Sequence, residues 1–575
     1  MSGPAPQLLL RPALRVFLLV CAAGLAWAVC TGEVWEDFYI TFRISKNLTA
    51  GHGLTYTPGE RVHAFTSPLG VLLPAAANLI GGGRSDAAAL WIFRLMGLAA
   101  LGGAGVLLWR MMRALFPEAG LAGLLVAAVA LESKTLGFTV NGMETGLLLL
   151  FLAWAFWALF TRPRRSGWHL GLAWGGMMWS RPDACVPIAA MAAGVMLLAP
   201  AAGGYLASRR AWLREIALAA AVGAVVYLPW FVWAWSYYGS PVPHTITAKG
   251  LFTDASAGHL AGELLRFPFA VLGGNSSVGL TFLPYYAGRT AWAGWLPQLS
   301  FAVAVIPLGL FLLPFVRWEA RVASFVYAAG HFYLTALAHP MPWYLPPVML
   351  PGVVALFLVL GQLKAELARS AGRESSPQAV RRLQRALTAL AAAFVLVLAG
   401  LTVVMARQAC LQMRLIERPV RQAAGLWLRD HARDAHATVF LEPLGYIGYY
   451  SGLKMFDYPG LASPEVVAVR RRNPARTFPG NWLEIIHALR PDWLVLRPAE
   501  ADGLARQDRR LLRDDYELVK TFDATAEVAG ARWLPAPALL EFDMVFRIYR
   551  RREVARPVEA AGTASRKFCV ILESN

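Results

Sequence analysis

Charged residues are scarce in this chain, and cysteine is rarer still. Only 16% of the 575 residues are Asp, Glu, Lys or Arg, whereas 57% are hydrophobic and 21 are tryptophan. A soluble domain could not bury so much apolar surface, so the composition indicates a polytopic α-helical membrane protein. The five cysteines are too few and too scattered for a disulfide framework, and a bond between Cys410 and Cys569 stays an open question.

Acidic residues are also in short supply relative to basic ones. The chain has 54 Lys and Arg against 36 Asp and Glu, which gives a formal net charge of +18. Such an excess could indicate a nucleic-acid partner. The basic residues, however, cluster in short breaks between apolar runs, where cytoplasmic loops of membrane proteins collect Arg and Lys. We therefore expect the membrane, and no nucleic acid, as the partner of these charges.

Apolar segments of spanning length and the charges between them define a topology. An odd number of spans places the two termini on opposite sides, and with the N-terminus cytoplasmic the loops around Arg110, Arg165 and Arg373 all fall inside. This arrangement requires that 67–82, which is short and holds two prolines, forms a surface or re-entrant helix on the outer face. The eleven predicted spans are 8–30, 88–110, 119–135, 142–161, 167–181, 183–200, 214–236, 296–316, 320–338, 345–363 and 385–408.

The first apolar segment has a second interpretation. Ala26 and Ala28 follow a basic start and an apolar core, as at the cleavage site of a signal peptide. We favour retention, because the acidic residues that follow suit a site at the membrane surface. The chain is then a multi-pass protein of the inner (plasma) membrane.

The chain changes character at about residue 409. Charges of both signs intermix from there on, and the short apolar runs 437–443, 492–498 and 544–550 are typical of strands between helical stretches. We predict a membrane domain at 1–408 and a soluble α/β domain at 409–575. The topology places the soluble domain outside.

Two adjacent carboxylates, Glu36 and Asp37, stand in the predicted first outer loop, 31–87. A carboxylate pair at a membrane surface suits a general base or a metal site. Acidic residues are also ordinary in the first turn of a helix, with no further role. Whether Glu36 and Asp37 bind a divalent cation stays open, because two carboxylates without further ligands are weak evidence.

Other unusual polar residues fall on the same predicted face. They are Glu144, Arg181 and Asp183, the segment 237–250, and the segment 339–347. Each has an ordinary explanation as a helix cap, an aromatic belt or a snorkelling anchor. Together they outline a polar cavity that opens outward.

Several of these segments resemble a known family. The stretch EDFYITFRISKNLTAGHGLTYTPGERVHAFTSPL resembles the first periplasmic loop of the arabinofuranosyltransferase-like branch of the GT-C membrane glycosyltransferases. NGMET, SRPDA, YYGSPVPHTITAK and PWYLPP are similar to further motifs of that branch in the same order, and EPLGYIGYYSG and DYPGLASPE fit its outer domain. Two residues depart from the family pattern: Glu36 stands where Asp is usual, and His244 where Asn is common.

The resemblance implies an inverting transfer of a sugar, with arabinofuranose favoured, from a polyprenyl-phosphate carrier to a glycan, lipid or protein acceptor outside the membrane. The sequence agrees, because it has no Gly-rich phosphate loop opening a Rossmann-like domain for a nucleotide sugar. Asp37 is the expected general base, with Glu36 beside it; Arg43 has an alternative role in pairing with an acid of its own loop. The candidates for binding the donor phosphate are Arg181, Lys249, Arg289, His339, Tyr344, His244 and Arg43.

Three alternatives remain open. An enzyme of the same architecture could use polyprenyl-phosphate mannose or another sugar. A transporter should show paired repeats and interrupted helices, and the sequence gives no sign of either. A non-catalytic binding protein is compatible with the departure at Glu36.

Overall fold

The computed structural model divides the chain into a helical part and a following α/β part. The apolar helical part and the mixed sheet behind it agree with the predicted fold class of a multi-pass membrane protein with a C-terminal α/β region. The structure describes residues 6–200, 205–251, 256–284, 292, 294–336, 341–370, 377–472, 481–533 and 535–552.

The helical part contains no strand among its described residues. Short 3₁₀ turns at Pro182–Ala184, Ser277–Leu280, Leu310–Leu312 and Pro342–Tyr344 interrupt or extend its helices. The helices are α1 (Pro6–Thr31), α2 (Glu36–Thr49), α3 (Leu69–Ile80), α4 (Asp86–Leu115), α5 (Ala122–Ala130), α6 (Ser133–Val140), α7 (Thr145–Thr161), α8 (Ser166–Ser180), α9 (Cys185–Leu198), α10 (Tyr205–Tyr238), α11 (His244–Gly250), α12 (Ala257–Leu272), α13 (Trp295–Gly309), α14 (Trp318–Ala336), α15 (Leu345–Ser370) and α16 (Pro377–Gln412).

All eleven predicted spans fall on helices, but these helices differ in length. Six helical segments of the described chain are long and apolar enough to cross a membrane by themselves, and seven if α5 and α6 form one bent span. α7 and the segment Pro182–Leu198 are apolar but shorter. The multi-pass character is therefore clear, whereas the count of eleven crossings stays a prediction. The six segments are Leu10–Thr31, Asp86–Leu115, Ser208–Tyr238, Trp295–Leu312, Pro342–Ser370 and Gln378–His431.

The predicted span 119–135 is broken. α5 and α6 meet at an angle of 61°, and the Glu132 carboxylate in the break accepts the backbone N–H of Thr135 at 2.8 Å. Lys134 Nζ lies 2.6 Å from Glu132 Oε1 and donates to the carbonyl of Leu283, which gives these buried charges direct partners. The expectation of uninterrupted helices is wrong here. The apolar composition on both sides of Glu132 conceals the cap that starts α6.

The predicted first outer loop, 31–87, is largely helical. Phe38, Phe42 and Ile44 of α2 are at most 1% exposed, because α2 packs against α3 and against the C-terminal part of the chain. The prediction of a loop is therefore wrong for the residues of α2. α3 confirms the helix predicted at 67–82; with 12 residues it is about 18 Å long, too short to cross a bilayer.

One long helical segment connects the two parts of the chain. α16 continues into a π-helix at Met413–Gln422 and then into α17 (Ala423–His431). The predicted boundary at 408/409 falls inside this continuous segment. A π-helix has a wider turn than an α-helix, so its side chains point in different directions from those of an α-helix. Such segments are frequent at functional sites.

A five-stranded sheet forms the centre of the C-terminal part, in the order β2-β1-β3-β5-β4. β1, β2 and β3 are parallel, whereas β5 pairs antiparallel with β3 and β4. The strands predicted at 437–443, 492–498 and 544–550 are confirmed as β1, β3 and β5. The elements are β1 (Thr438–Leu441), α18 (Leu444–Ser451), β2 (Lys454–Asp457), α19 (Pro464–Arg472), α20 (Trp482–Leu489), β3 (Trp493–Leu496), α21 (Pro498–Gln507), a second π-helical turn (Leu511–Asp515), β4 (Tyr516–Asp523), α22 (Thr525–Gly530), α23 (Pro537–Glu541) and β5 (Val545–Arg551).

The two parts are joined closely where α18 lies on α2. A side chain on Gly445 would overlap the backbone carbonyl of Glu36, so only glycine permits this approach. Tyr39 of α2 packs its ring against the rings of Tyr446 and Tyr449, with centroids 4.5 and 4.9 Å apart. The start of α2 is therefore held from the C-terminal part.

Candidate functional site

The two adjacent carboxylates begin α2, one turn from the end of α1. Acidic residues in a first turn are favoured by the partial positive charge of the helix N-terminus. Their neighbours Phe38 and Phe42 anchor the helix in the core. Glu36 and Asp37 point into different surroundings, and this difference assigns them different roles.

Glu36 is fixed by the C-terminal part of the chain. Its Oε1 accepts the backbone N–H of Gly445 at 2.7 Å, and its Oε2 lies 2.6 Å from Arg421 Nη1. Burial raises the pKa of Glu36; Arg421 opposes this rise, and the carboxylates of Glu417 and Asp543 reinforce it. Both oxygens of Glu36 are therefore engaged with protein groups.

Arg421 belongs to a buried charged network between the π-helix and the sheet. It pairs with Glu36, with Glu417 at 3.0 Å, and with Asp543. Asp543 also lies 2.6 Å from Arg497 Nε. Arg497 in turn pairs with Glu442 at 2.8 Å and with Glu500 at 2.5 Å. Two arginines thus form ion pairs with five carboxylates. The network connects Glu36 to the carboxyl ends of β1 and β3.

Asp37 makes none of these hydrogen bonds or ion pairs, although the charges of Glu442 and Arg421 act on it. Burial raises the pKa of the Asp37 carboxyl above its usual range; the charges of Lys249 and Arg181 act in the opposite direction, and Glu442 adds to the rise. No hydrogen bond to its carboxylate is present among the described residues. A carboxylate held at a raised pKa, without a fixed partner, is suited to accept a proton.

Arg181 lies at the C-terminal end of α8 and is 6% exposed. Its Nε donates to Asp183 at 2.9 Å and its Nη1 to Glu144 at 3.2 Å, so the ordinary pairing with Asp183 is present. Its guanidinium also lies 4.5 Å from the centre of the Tyr344 ring. These contacts fix the plane of the guanidinium, while Nη2 makes no hydrogen bond within the described part of the chain.

Lys249 and His244 lie on the short helix α11. The backbone carbonyl of Ala248, next to Lys249, accepts Arg470 Nη1 of α19 at 3.1 Å, and the His244 backbone N–H donates to the carbonyl of His63 at 3.0 Å. Lys249 is exposed, and its charge acts on Asp37. Burial lowers the pKa of His244, which favours its neutral form. α11 thus contacts both parts of the chain, and of its two candidate residues it is Lys249 whose charge acts on Asp37.

Arg43 has a different position from the one that its sequence suggests. It donates to the carbonyls of Gly448, Gly452 and Leu453 at 2.7 to 3.0 Å, and its guanidinium lies 4.3 Å from the centre of the Tyr56 ring. The pairing with an acid of its own loop is wrong, because the carbonyls at the end of α18 take its donors. Arg289 and His339 lie outside the described residues.

Sequence reasoning missed the residues that the C-terminal part contributes. Arg421 stands in a stretch with several other arginines, and nothing in its spacing distinguishes it. Glu442 follows a short apolar strand, which is the one local signal that could have identified it. Glu144 and Asp183 were recognised as unusual polar residues, and both now prove to be partners of Arg181.

The carboxylate pair does not fit a metal site. Glu36 already holds the cationic Arg421 and a backbone N–H, so a divalent ion bridging Glu36 and Asp37 would have to displace a buried guanidinium. Within the described residues no group of three or more His, Cys, Asp or Glu side chains is placed to bind a metal ion.

An apolar groove leads away from the Arg181 end of the site. It is a narrow cavity of about 40 Å³ that lies between α7, α8, α9, α14 and α15 and opens to the surface. Its polar end is formed by Asp183, Tyr333 and Tyr344, two of which contact Arg181. The groove is lined further on by Leu148, Met177, Val326, Leu334, Pro347 and Pro351.

Comparison with known proteins gives relatives in sequence and in fold. The chain is 27% identical over 294 residues to a terminal β-(1→2)-arabinofuranosyltransferase of Mycobacterium tuberculosis, covering 48% of this chain and 40% of that protein. It is 29% identical over 276 residues to an enzyme of the same name from Corynebacterium glutamicum, covering 43% of this chain and 37% of that protein. The chain thus spans about two fifths of the length of these relatives.

The C-terminal part and the whole fold have separate matches. Residues 411–540 match a domain of unknown function (DUF8728). The archaeal oligosaccharyltransferase AglB from Archaeoglobus fulgidus superposes with a TM-score of 0.52 at 12% identity, covering 84% of this chain and 69% of AglB. The predicted resemblance to arabinofuranosyltransferases is therefore confirmed in sequence, and the fold is similar to that of the membrane oligosaccharyltransferase AglB.

Proposed function

We propose that this protein is an inverting glycosyltransferase that moves a sugar, with arabinofuranose favoured, from a polyprenyl-phosphate carrier to an acceptor hydroxyl at the outer face of the membrane. The observation that carries the proposal is a half-buried carboxylate, Asp37, which has no hydrogen bond among the described residues and on which the charges of Lys249 and Arg181 act. The similarity to named arabinofuranosyltransferases supports the sugar. Transfer of radiolabelled sugar from such a donor by the purified protein tests it.

Asp37 acts as the general base. The acceptor hydroxyl oxygen forms a bond to the anomeric carbon while the bond from that carbon to the phosphate oxygen breaks, and the hydroxyl proton passes to Asp37. A single displacement of this kind inverts the anomeric carbon. The raised pKa suits the role, because a base with a pKa closer to the working pH accepts a proton with a larger driving force.

Arg181 and Lys249 receive the departing phosphate. The leaving group carries negative charge, and a cationic donor stabilises it more strongly when it is withdrawn from water, as Arg181 is, than when it is exposed, as Lys249 is. Arg181 is pre-oriented by Asp183, Glu144 and the Tyr344 ring, so its remaining donor can meet the phosphate with little loss of side-chain freedom.

The apolar groove accommodates the polyprenyl chain of the donor. Its polar end adjoins Arg181, which is where the phosphate of a lipid lying in the groove would stand. AglB, which shares the fold, is known in complex with a dolichol-phosphate. Lipid-borne donors are also expected where a site opens to the outside.

Arg181→Ala and Lys249→Ala should each weaken binding of a polyprenyl-phosphate analogue. We expect losses of about tenfold or more, because each removes one charge-assisted contact to the phosphate. The double variant should lose less than the product of the two factors if both cations hold one phosphate. Binding is measured with the purified protein and a fluorescent analogue.

Arg266→Ala, in an exposed ion pair on α12, is the matched control and should bind the analogue normally. If both single variants bind the analogue as tightly as the parent, the phosphate is held elsewhere. Arg289 and His339 then become the next pair to test.

The proposal requires the site and the C-terminal part to lie outside, and the N-terminus inside. In a cysteine-free background, an impermeant maleimide applied to intact spheroplasts should label Asn275→Cys and Ala435→Cys. It should not label Arg164→Cys or Arg382→Cys until the membrane is permeabilised. All four positions are exposed, so differences in labelling report sidedness. Labelling of Arg382→Cys from outside would contradict the topology and the argument for a lipid-borne donor.

A further inference from the structure

The sheet of the C-terminal part has a topological switch point. The chain moves from β1 to β2 on one side of β1 and later to β3 on the other side. In α/β sheets, ligands bind in the crevice outside the carboxyl ends of the strands at such a point. Glu442 directly follows β1 and Arg497 directly follows β3, so both lie at this crevice.

The crevice opens toward the start of α2. The backbone N–H of Gly445, three residues after Glu442, donates to the Glu36 carboxylate. Asp37 is the next residue along α2, and the charge of Glu442 contributes to its raised pKa. The carboxyl end of the sheet is therefore held against the first turn of α2, which carries the proposed general base.

Glu442 differs from the rest of the charged network in its exposure. Its side chain is 38% exposed, whereas those of Arg497 and Asp543 are 5% and 8% exposed. Glu442 Oε2 lies 2.8 Å from Arg497 Nη2, which fixes the carboxylate, and Oε1 accepts no hydrogen bond from the described residues. A carboxylate with one oxygen fixed and the other open is well suited to accept a hydroxyl hydrogen bond.

An aromatic ring lies on the other side of Arg497. The Arg497 guanidinium is 4.3 Å from the centre of the Phe542 ring, and Phe542 is 65% exposed. An exposed carboxylate and an exposed aromatic ring, both held by one buried arginine, provide a hydroxyl acceptor and an apolar face. These are the two kinds of contact that a sugar ring offers, with its hydroxyls at the edge and its C–H groups on the face.

We propose that the acceptor is a saccharide, bound at the switch-point crevice with Glu442 accepting a hydroxyl next to the one that attacks. Phe542 supports the sugar ring, and the buried network keeps Glu442 in place. A peptide hydroxyl or a simple lipid alcohol has no neighbouring hydroxyl for Glu442. This inference rests on the proposed function, because it assumes that Asp37 takes the proton from the acceptor.

Direct binding of a synthetic arabinofuranosyl disaccharide, without donor, tests the site. We expect Glu442→Ala to weaken binding at least about tenfold and Glu442→Gln to weaken it less. Both variants should bind the polyprenyl-phosphate analogue like the parent. Glu465→Ala is the control. The Glu465 side chain lies in the same domain and is 37% exposed, close to the value for Glu442, and its replacement also removes one ion pair.

A second arm uses disaccharides that each lack one hydroxyl. One of these deoxy disaccharides should bind the parent more weakly than the intact disaccharide does. The Glu442→Ala variant should bind that deoxy disaccharide and the intact one equally well, because the hydroxyl and the carboxylate are partners and the variant already lacks the carboxylate. The inference is overturned if Glu442→Ala and Glu442→Gln bind the disaccharide as tightly as the parent, if the parent binds a Ser/Thr peptide instead, or if it binds no saccharide. Transfer is measured separately. If the parent binds the disaccharide but transfers no sugar, the result counts against the proposed function and not against this site.

Discussion

Asp37→Asn is expected to lower the rate of sugar transfer about 10²–10⁴-fold, the usual loss for a general base. The substitution is nearly isosteric and replaces the basic carboxylate, which takes the acceptor proton, with a neutral amide of negligible basicity. Asp37 makes no hydrogen bond to the described residues that the amide would break, so folding should be preserved. Single-turnover transfer from a radiolabelled polyprenyl-phosphate sugar measures the effect, with thermal unfolding as the check on the fold.

Two comparisons make this result specific. Asp86→Asn, which pairs with Lys46 away from the site, should transfer at the parent rate. In the parent, transfer should fall as the pH drops through the pKa of Asp37, at a pH above the usual carboxyl range, because burial raises that pKa. Parent-like transfer by Asp37→Asn would remove Asp37 from the mechanism.

Arg421→Met is expected to destabilise the protein by about 3–5 kcal/mol, the usual cost of removing one partner from a buried ion pair. It leaves the carboxylates of Glu36, Glu417 and Asp543 buried with less positive charge. Denaturant or thermal unfolding of the detergent-solubilised protein measures the loss. Arg429→Met, in the exposed pair with Asp430, should change stability by no more than about 1 kcal/mol.

The pH dependence of the Arg421→Met variant gives an independent check. Buried carboxylates without a cation have raised pKa values. The free energy of unfolding of the variant is therefore higher at low pH, where these carboxylates are protonated, and falls as the pH rises and they ionise. The deficit relative to the parent should therefore shrink toward pH 5, and Glu36→Gln added to Arg421→Met should recover part of it. A deficit that does not vary with pH would show that lost packing, rather than lost charge pairing, is its cause.

The sequence predicted the apolar helices and three of the five strands because both depend on local patterns. Apolar runs mark the helices wherever they lie, and short β-rich runs mark β1, β3 and β5. β2 has a charged residue at each end, Lys454 and Asp457, and β4 alternates in burial with several charged residues, so neither forms an apolar run. The break before α6 was missed because it depends on one capping side chain, Glu132, within an apolar stretch.

The site was predictable only in part, for a related reason. Asp37, Arg181 and Lys249 belong to segments with recognisable motifs, and in the structure the charges of Arg181 and Lys249 act on Asp37. Arg421 and Glu442 lie about 400 residues from Asp37 in sequence, and only the docking of α18 on α2 brings them near. For Arg43 the sequence suggested an acidic partner in its own loop. In the structure its guanidinium donates to backbone carbonyls of the C-terminal part instead.

The most direct test is transfer by the purified protein in lipid nanodiscs. The donor is a radiolabelled polyprenyl-phosphate arabinofuranose, the acceptor is an arabinofuranosyl disaccharide, and Asp37→Asn is run beside the parent. We predict that the parent moves label into the disaccharide with inversion at the anomeric carbon, and that Asp37→Asn does not. Absence of transfer from any polyprenyl-phosphate sugar, or equal transfer by Asp37→Asn, would contradict the account.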